Sequence, residues 1–90
     1  MSVNFEYYKV FYEVAKYGNI TMAAKSLFLT QSTVSRSIQH LENELGVRLF
    51  ERSKKGVVLT DVGSILFYHI AQAYEHISVG EERVDMMRGF

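Results

Sequence analysis

Residues 23–46, AAKSLFLTQSTVSRSIQHLENELG, decide how this chain folds. Val34, Ile38, Leu41 and Leu45 recur at intervals of four, three and four, which puts them on one stripe of a helix from about Gln31 to Leu45. Gly46 stands where a left-handed C-terminal residue is wanted, and Thr30 is a cap candidate whose hydroxyl can accept from the amide of Ser32 or Thr33. Just upstream, Thr21 can cap a short helix, MAAKSLF, whose paired Ala23 and Ala24 let another helix approach closely. LFLT connects the two, so this stretch reads as two helices joined by a tight turn.

On the N-terminal side, Phe5, Tyr8, Phe11 or Tyr12, and Ala15 keep helical spacing, widened by Tyr7, Val10 and Val14, so residues 4–17 read as a first helix that Gly18-Asn19 stops. On the C-terminal side, the apolar runs VRLF and GVVLT flank ERSKKG, the pattern of a two-stranded hairpin with a basic tip. Thr60 can cap a long last helix, with Asp61 near the positive end of its dipole. A lone two-stranded ribbon is marginally stable, so the hairpin should pack on the helices. The expected fold is mainly α: a winged helix-turn-helix of three helices plus a two-stranded β-hairpin wing over residues 1–60, followed by a long dimerisation helix over 61–90. On that helix Val62, Ile65, Leu66, His69, Ile70, Ala73 and Ile77 form a seam with more apolar surface than so small a core can cover, which suggests pairing with a second copy. Met86, Met87 and Phe90 are an apolar end; Gly80 predicts a bend or an early stop before them.

Ninety residues with no cysteine allow one modest core and exclude a disulfide framework and thiolate metal sites, which fits a reducing cytoplasm. There is no signal-peptide pattern and no run long enough to span a membrane. The net charge is zero, yet residues 1–60 carry a balance of +3 and residues 61–90 one of −3, so a polyanion would meet the first two thirds. No glycine-rich phosphate loop, nucleophile elbow or paired-carboxylate constellation offers a catalytic residue, so an enzyme is not expected. His69 and His76 share a helical face but lack a third ligand, so no metal or other cofactor is expected. The twelve Phe and Tyr residues sit mainly at helical core positions, unlike the stacking platforms of single-strand binders.

With the apolar stripe inward, the outward N-terminal half of the third helix is Gln31, Ser32, Thr33, Ser35, Arg36 and Gln39. Arg pairs bidentately with guanine, Gln with adenine, and Ser or Thr with base edges or phosphates. Glu42 and Glu44 make the far end acidic, which suits a helix entering a major groove by its N-terminus. An isolated polar stripe is more often just a solvated face, and Lys54-Lys55 alone could be an ordinary turn; the helix pair followed by a basic hairpin favours DNA. His40 lies beside the reading face without a decided role. The competing reading is a winged-helix protein-interaction module without specific DNA readout, supported by the zero net charge.

The ordered series Phe5-x-x-Tyr8-x-x-Phe11, Val14-Ala15-x-x-Gly18-Asn19-Ile20-Thr21, Ala23-Ala24-x-x-Leu27, Thr30-Gln31-Ser32-x-Val34-Ser35-Arg36, Ile38-x-x-Leu41-Glu42, Leu45-Gly46-x-x-Leu49-Phe50-x-Arg52 and Leu59-Thr60-x-x-Gly63 resembles the N-terminal domain of LysR-type transcriptional regulators. The resemblance implies a bacterial, cytoplasmic regulator that binds double-stranded DNA at an imperfect inverted repeat as a homodimer. It also implies a small-molecule effector that acts only through a C-terminal domain absent from this chain, so a truncated or excised piece is expected. Carried over by position, Gln31, Ser35 and Arg36 would lie in the major groove, with Ser32 and Thr33 at bases or backbone and Thr21 and Thr30 at phosphates. Arg52, Ser53, Lys54 and Lys55 would form the wing along the backbone, with a basic side chain in the minor groove. Ser32 stands where the family usually has proline, which gives up some rigidity for a hydroxyl.

Overall fold

The computed structural model describes residues 3–89; Phe90 of the apolar end lies outside them. Helix α1 spans Phe5–Tyr17, α2 Ile20–Leu27 and α3 Gln31–Leu45; strands β1 (Phe50–Ser53) and β2 (Gly56–Leu59) form the hairpin, and α4 runs Asp61–Gly89.

The caps explain the boundaries. Asn4 accepts from the amide of Glu6 to start α1, and Gly18, at φ 64°, ends it in the left-handed region. Helix α2 is capped not by Thr21 but by Asn19, whose Oδ1 accepts from the Met22 amide at 3.0 Å. Starting there makes Ile20 the first helical residue and lets it pack on the core, while Thr21 stays exposed. Thr30 caps α3 by accepting from the Thr33 amide at 3.2 Å, and Gly46 ends it at φ 72°. Thr60 does the same for α4, accepting from Gly63 at 3.0 Å while its hydroxyl donates to the Arg48 carbonyl at 2.7 Å.

The core joins Val10, Phe11 and Val14 of α1, Ala23 and Ala24 of α2, and Val34, Ile38 and Leu41 of α3 to Leu49 and Phe50. Leu45 is only partly buried at its edge. The hairpin is shifted from the expected VRLF strand: Phe50 pairs with Leu59 and Ser53 with Gly56, so Glu51, Arg52 and Ser53 are strand residues and only Lys54-Lys55 remain as the turn. The reason lies in Leu49, whose amide goes to Glu42 and whose carbonyl goes to the Thr60 amide, leaving nothing for a partner strand until Phe50. The wing is docked on the body, since the Val57 amide donates to the Gly18 carbonyl at 3.2 Å and a Cβ on Gly56 would sit 2.3 Å from that oxygen.

Helix α4 packs its first turns on the same core. A Cβ at Gly63 would meet the Leu49 carbonyl at 2.1 Å, so only glycine allows this approach, and Leu66, Phe67 and Ile70 follow on the same face. The helix then continues through Gly80 to Gly89, so the early stop that the sequence allowed does not occur. One glycine costs only about 1 kcal/mol, while residues on both sides each add a hydrogen bond to a helix already nucleated against the core.

Candidate nucleic-acid interface

On α3, Gln31, Ser32, Arg36 and Gln39 are exposed, and Thr33 and Ser35 are half-buried. Asn43, seven residues after Arg36, lies on that outward row and is exposed too; its i+7 spacing made it legible, although it was not among the expected residues. At the helix start, Thr30 donates to the Thr33 hydroxyl at 2.9 Å and lies 3.3 Å from the Ser32 hydroxyl. The Thr30 hydroxyl is thus engaged by its own helix, whereas Thr21 projects from the first turn of α2 without such a contact.

The wing stands beside this face. Ser35 and Gln39 of α3 and Arg52 of β1 line one groove, floored by Ile38, Phe50 and Val57. Ser53 shapes the turn, its hydroxyl accepting from the Lys55 amide at 3.3 Å and donating to the Gly56 carbonyl at 3.4 Å. Lys54 and Lys55 are exposed at the tip. Among the described residues the ion pairs are Glu13–Lys16 and Asp85–Arg88, so Arg36, Arg52, Lys54 and Lys55 have no carboxylate partner there.

Glu42 does more than make the far end of α3 acidic. Its carboxylate accepts from the amides of Leu49 (2.7 Å) and Phe50 (3.3 Å), fastening the wing's entry to α3. The acidic end of α3 is therefore left to the exposed Glu44. His40 lies parallel to the Tyr7 ring of α1 at 5.5 Å, a contact between helices that the sequence left open. Among the described residues no three potential metal ligands cluster.

The α4 seam divides in two. Leu66 and Ile70 turn inward against the core, so they do not belong to a free face. Val62, Ile65, His69, Ala73 and Ile77 are exposed, and Val84 and Met87 extend the same row. Tyr74 faces α1, and burial, with the Glu13 charge second, pushes its hydroxyl above the ordinary tyrosine value.

The sequence model of bacterial regulatory helix-turn-helix proteins, lysR family, matches residues 5–64, from the start of α1 into the first turn of α4. The chain belongs to the LysR family. Among relatives of this family, it is 36% identical over 89 residues to the RuBisCO operon transcriptional regulator of Allochromatium vinosum, covering 99% of this chain and 30% of that protein. It is 41% identical over 76 residues to the HTH-type transcriptional regulator ClcR of Pseudomonas putida, covering 84% and 26%. The chain thus spans less than a third of the length of these LysR relatives. Among solved structures, the CbnR_DBD-DNA complex superposes with a TM-score of 0.77 at 34% identity, covering 94% of this chain and 98% of that one. The BenM_DBD/catB site 1 DNA complex gives a TM-score of 0.85 at 25% identity, covering 98% of each. No helix among the described residues is long and apolar enough to cross a membrane.

Proposed function

We propose that this chain is the sequence-specific, double-stranded-DNA-binding part of a bacterial transcriptional regulator, with no enzymatic role, working as a homodimer in the cytoplasm. The observation that carries this reading is the pairing of an exposed polar row on α3 with wing cations that have no carboxylate partner among the described residues, in a fold that superposes on domains solved with DNA. Gln31, Ser35, Arg36 and Gln39 would read base edges, Arg36 most specifically, because a guanidinium can engage guanine bidentately. Ser32, Thr33 and Thr21 would position the helix on phosphates, with Thr30 contributing mainly as its cap. Arg52, Ser53, Lys54 and Lys55 would follow the neighbouring backbone, with one cation in the minor groove.

The reading module comprises residues 1–60, and the first turns of α4 complete its core. The exposed row Val62, Ile65, His69, Ala73 and Ile77 would pair with its copy, presenting two recognition helices to an imperfect inverted repeat. Effector sensing falls to the portion of the full-length relatives that this chain does not span. Zero net charge favours a protein-interaction module instead, and salt dependence separates the two readings. With three wing cations per protomer displacing counterions, on the backbone and in the minor groove, the slope of log K against log salt should be about −5 for a dimer. A slope near zero would favour the interaction module.

A further inference from the structure

The reading surface and the dimer row leave one feature unused: an aromatic contact between α1 and α4. The Tyr12 ring sits between Phe67, at 5.7 Å and 17° between planes, and Tyr74, at 4.2 Å and 23°. Phe67 and Tyr74 are two helical turns apart, so one ring from α1 grips roughly 10 Å of α4. The Lys16 ammonium also lies near the ring, 5.5 Å from its centroid. Lys16 pairs with Glu13 at 3.5 Å, and Glu13 accepts from the Ser26 hydroxyl of α2.

The body therefore holds α4 along its first turns. Gly63 against the Leu49 carbonyl is the first contact, Leu66 and Ile70 follow on the core, and the Tyr12 clamp at Tyr74, eleven residues past Gly63, is the outermost. The outermost contact limits how far the helix can tilt about the inner ones. Every residue from Glu75 to Gly89 is exposed, so Tyr74 is where the helix leaves the body. From there to Met87 is roughly 20 Å of helix. Val84 and Met87 extend the exposed row there, so a 10° tilt over that length displaces the winged module by about 3.5 Å relative to a partner paired at that end, one base-pair step.

We propose that Tyr12 is a positioning residue: clamped between Phe67 and Tyr74, it fixes the angle at which the winged module leaves α4 and so selects the half-site spacing the dimer accepts. This rests on the reading of the chain as a DNA-binding dimer. The clamp needs the aromatic ring and not its hydroxyl. Gly63, Leu66 and Ile70 keep the start of α4 on the core without it, so its loss loosens the outer end of the contact and widens the range of angles while the fold remains.

Two readouts test it, one of them independent of DNA. The chain has no cysteine, so Lys25→Cys and Glu82→Cys can carry a spin-label pair from α2 to α4, diluted into unlabelled chain to report within one protomer. The distance distribution should be narrow in the parent and with Tyr12→Phe, and at least about twofold broader with Tyr12→Ala. Tyr74→Leu should broaden it as well, and it serves if Tyr12→Ala does not fold. On duplexes carrying the preferred half-site at stepped spacings, the parent and Tyr12→Phe should discriminate a one-base-pair change by about tenfold. The Ala and Leu variants should discriminate by less than about threefold, with unchanged affinity for a single half-site. Unchanged distance widths, or unchanged spacing preference in the folded variants, overturn the clamp. A parent that selects no repeat sinks the DNA reading, and the spacing role with it, while the distance widths still judge whether the clamp fixes the angle.

Discussion

Replacing Glu42 by alanine should cost this domain much of its stability, although an acidic residue near the end of an amphipathic helix would ordinarily be replaceable. Its carboxylate accepts from the Leu49 amide at 2.7 Å and the Phe50 amide at 3.3 Å, and both of those residues are buried in the core. A hydrogen bond to a charged group contributes about 1.5–3 kcal/mol, and a buried amide left without a partner costs about 1–3 kcal/mol. The longer bond is worth less, and Glu42 is partly exposed, so water can replace some of what is lost. The net expectation is about 2–3 kcal/mol, out of the roughly 5–13 kcal/mol that a chain of this size commands.

Urea unfolding followed by far-ultraviolet circular dichroism, at one fixed protein concentration because a dimer's stability depends on it, would measure this. The midpoint should fall with little change in slope, and Tm should drop by roughly 8–20 °C. Glu42→Gln keeps an acceptor oxygen but loses the charge, so it should lose about half as much. A Glu42→Ala protein within about 0.5 kcal/mol of the parent would refute the reasoning, because such a change is typical of a surface site without a partner.

Arg36→Ala should weaken binding to the preferred duplex by about 1–3 kcal/mol and relax its specificity, and equal losses on preferred and random DNA would remove its base-reading role. Lys54→Ala or Lys55→Ala should weaken all duplexes alike and reduce the salt slope by about one per protomer, checked by titrations at several salt concentrations. Gly63→Ala drives a Cβ to within 2.1 Å of the Leu49 carbonyl, so the α4 start must shift at a cost of about 1–3 kcal/mol, read from the same urea midpoints. Phe28 caps α2 at φ 59° while 94% exposed; Phe28→Asn should therefore gain up to about 1 kcal/mol, since it relieves left-handed strain and gives up no packing.

The parts of the fold that rest on periodicity were legible: the stripe Val34, Ile38, Leu41 is buried, and Thr30, Gly46 and Thr60 occupy the caps their chemistry suits. What could not be read depended on partners distant in sequence. Asn19 and Thr21 are both good caps, and only the packing of Ile20 favours the first. Phe28 ends α2 in a conformation its side chain gives no reason to expect. The role of Glu42 was hidden because its acceptors serve amides seven and eight residues away. On α4 the seam was visible as a stripe, but its division between core and solvent depends on where α1 lies, so Leu66 and Ile70 could not be separated from Val62 and Ile65. The outward placement of Gln31, Ser32, Arg36 and Gln39 was legible, because it follows from turning the apolar stripe inward, whereas the half-burial of Thr33 and Ser35 depends on the packing around α3.

The most direct test is selection by this 90-residue chain from a randomised pool of duplex DNA at near-physiological salt, followed by sequencing of what is retained. Enrichment of an inverted repeat with half-sites about one helical turn, or a multiple of it, apart is the predicted result. A folded, dimeric protein that enriches no sequence would contradict the account.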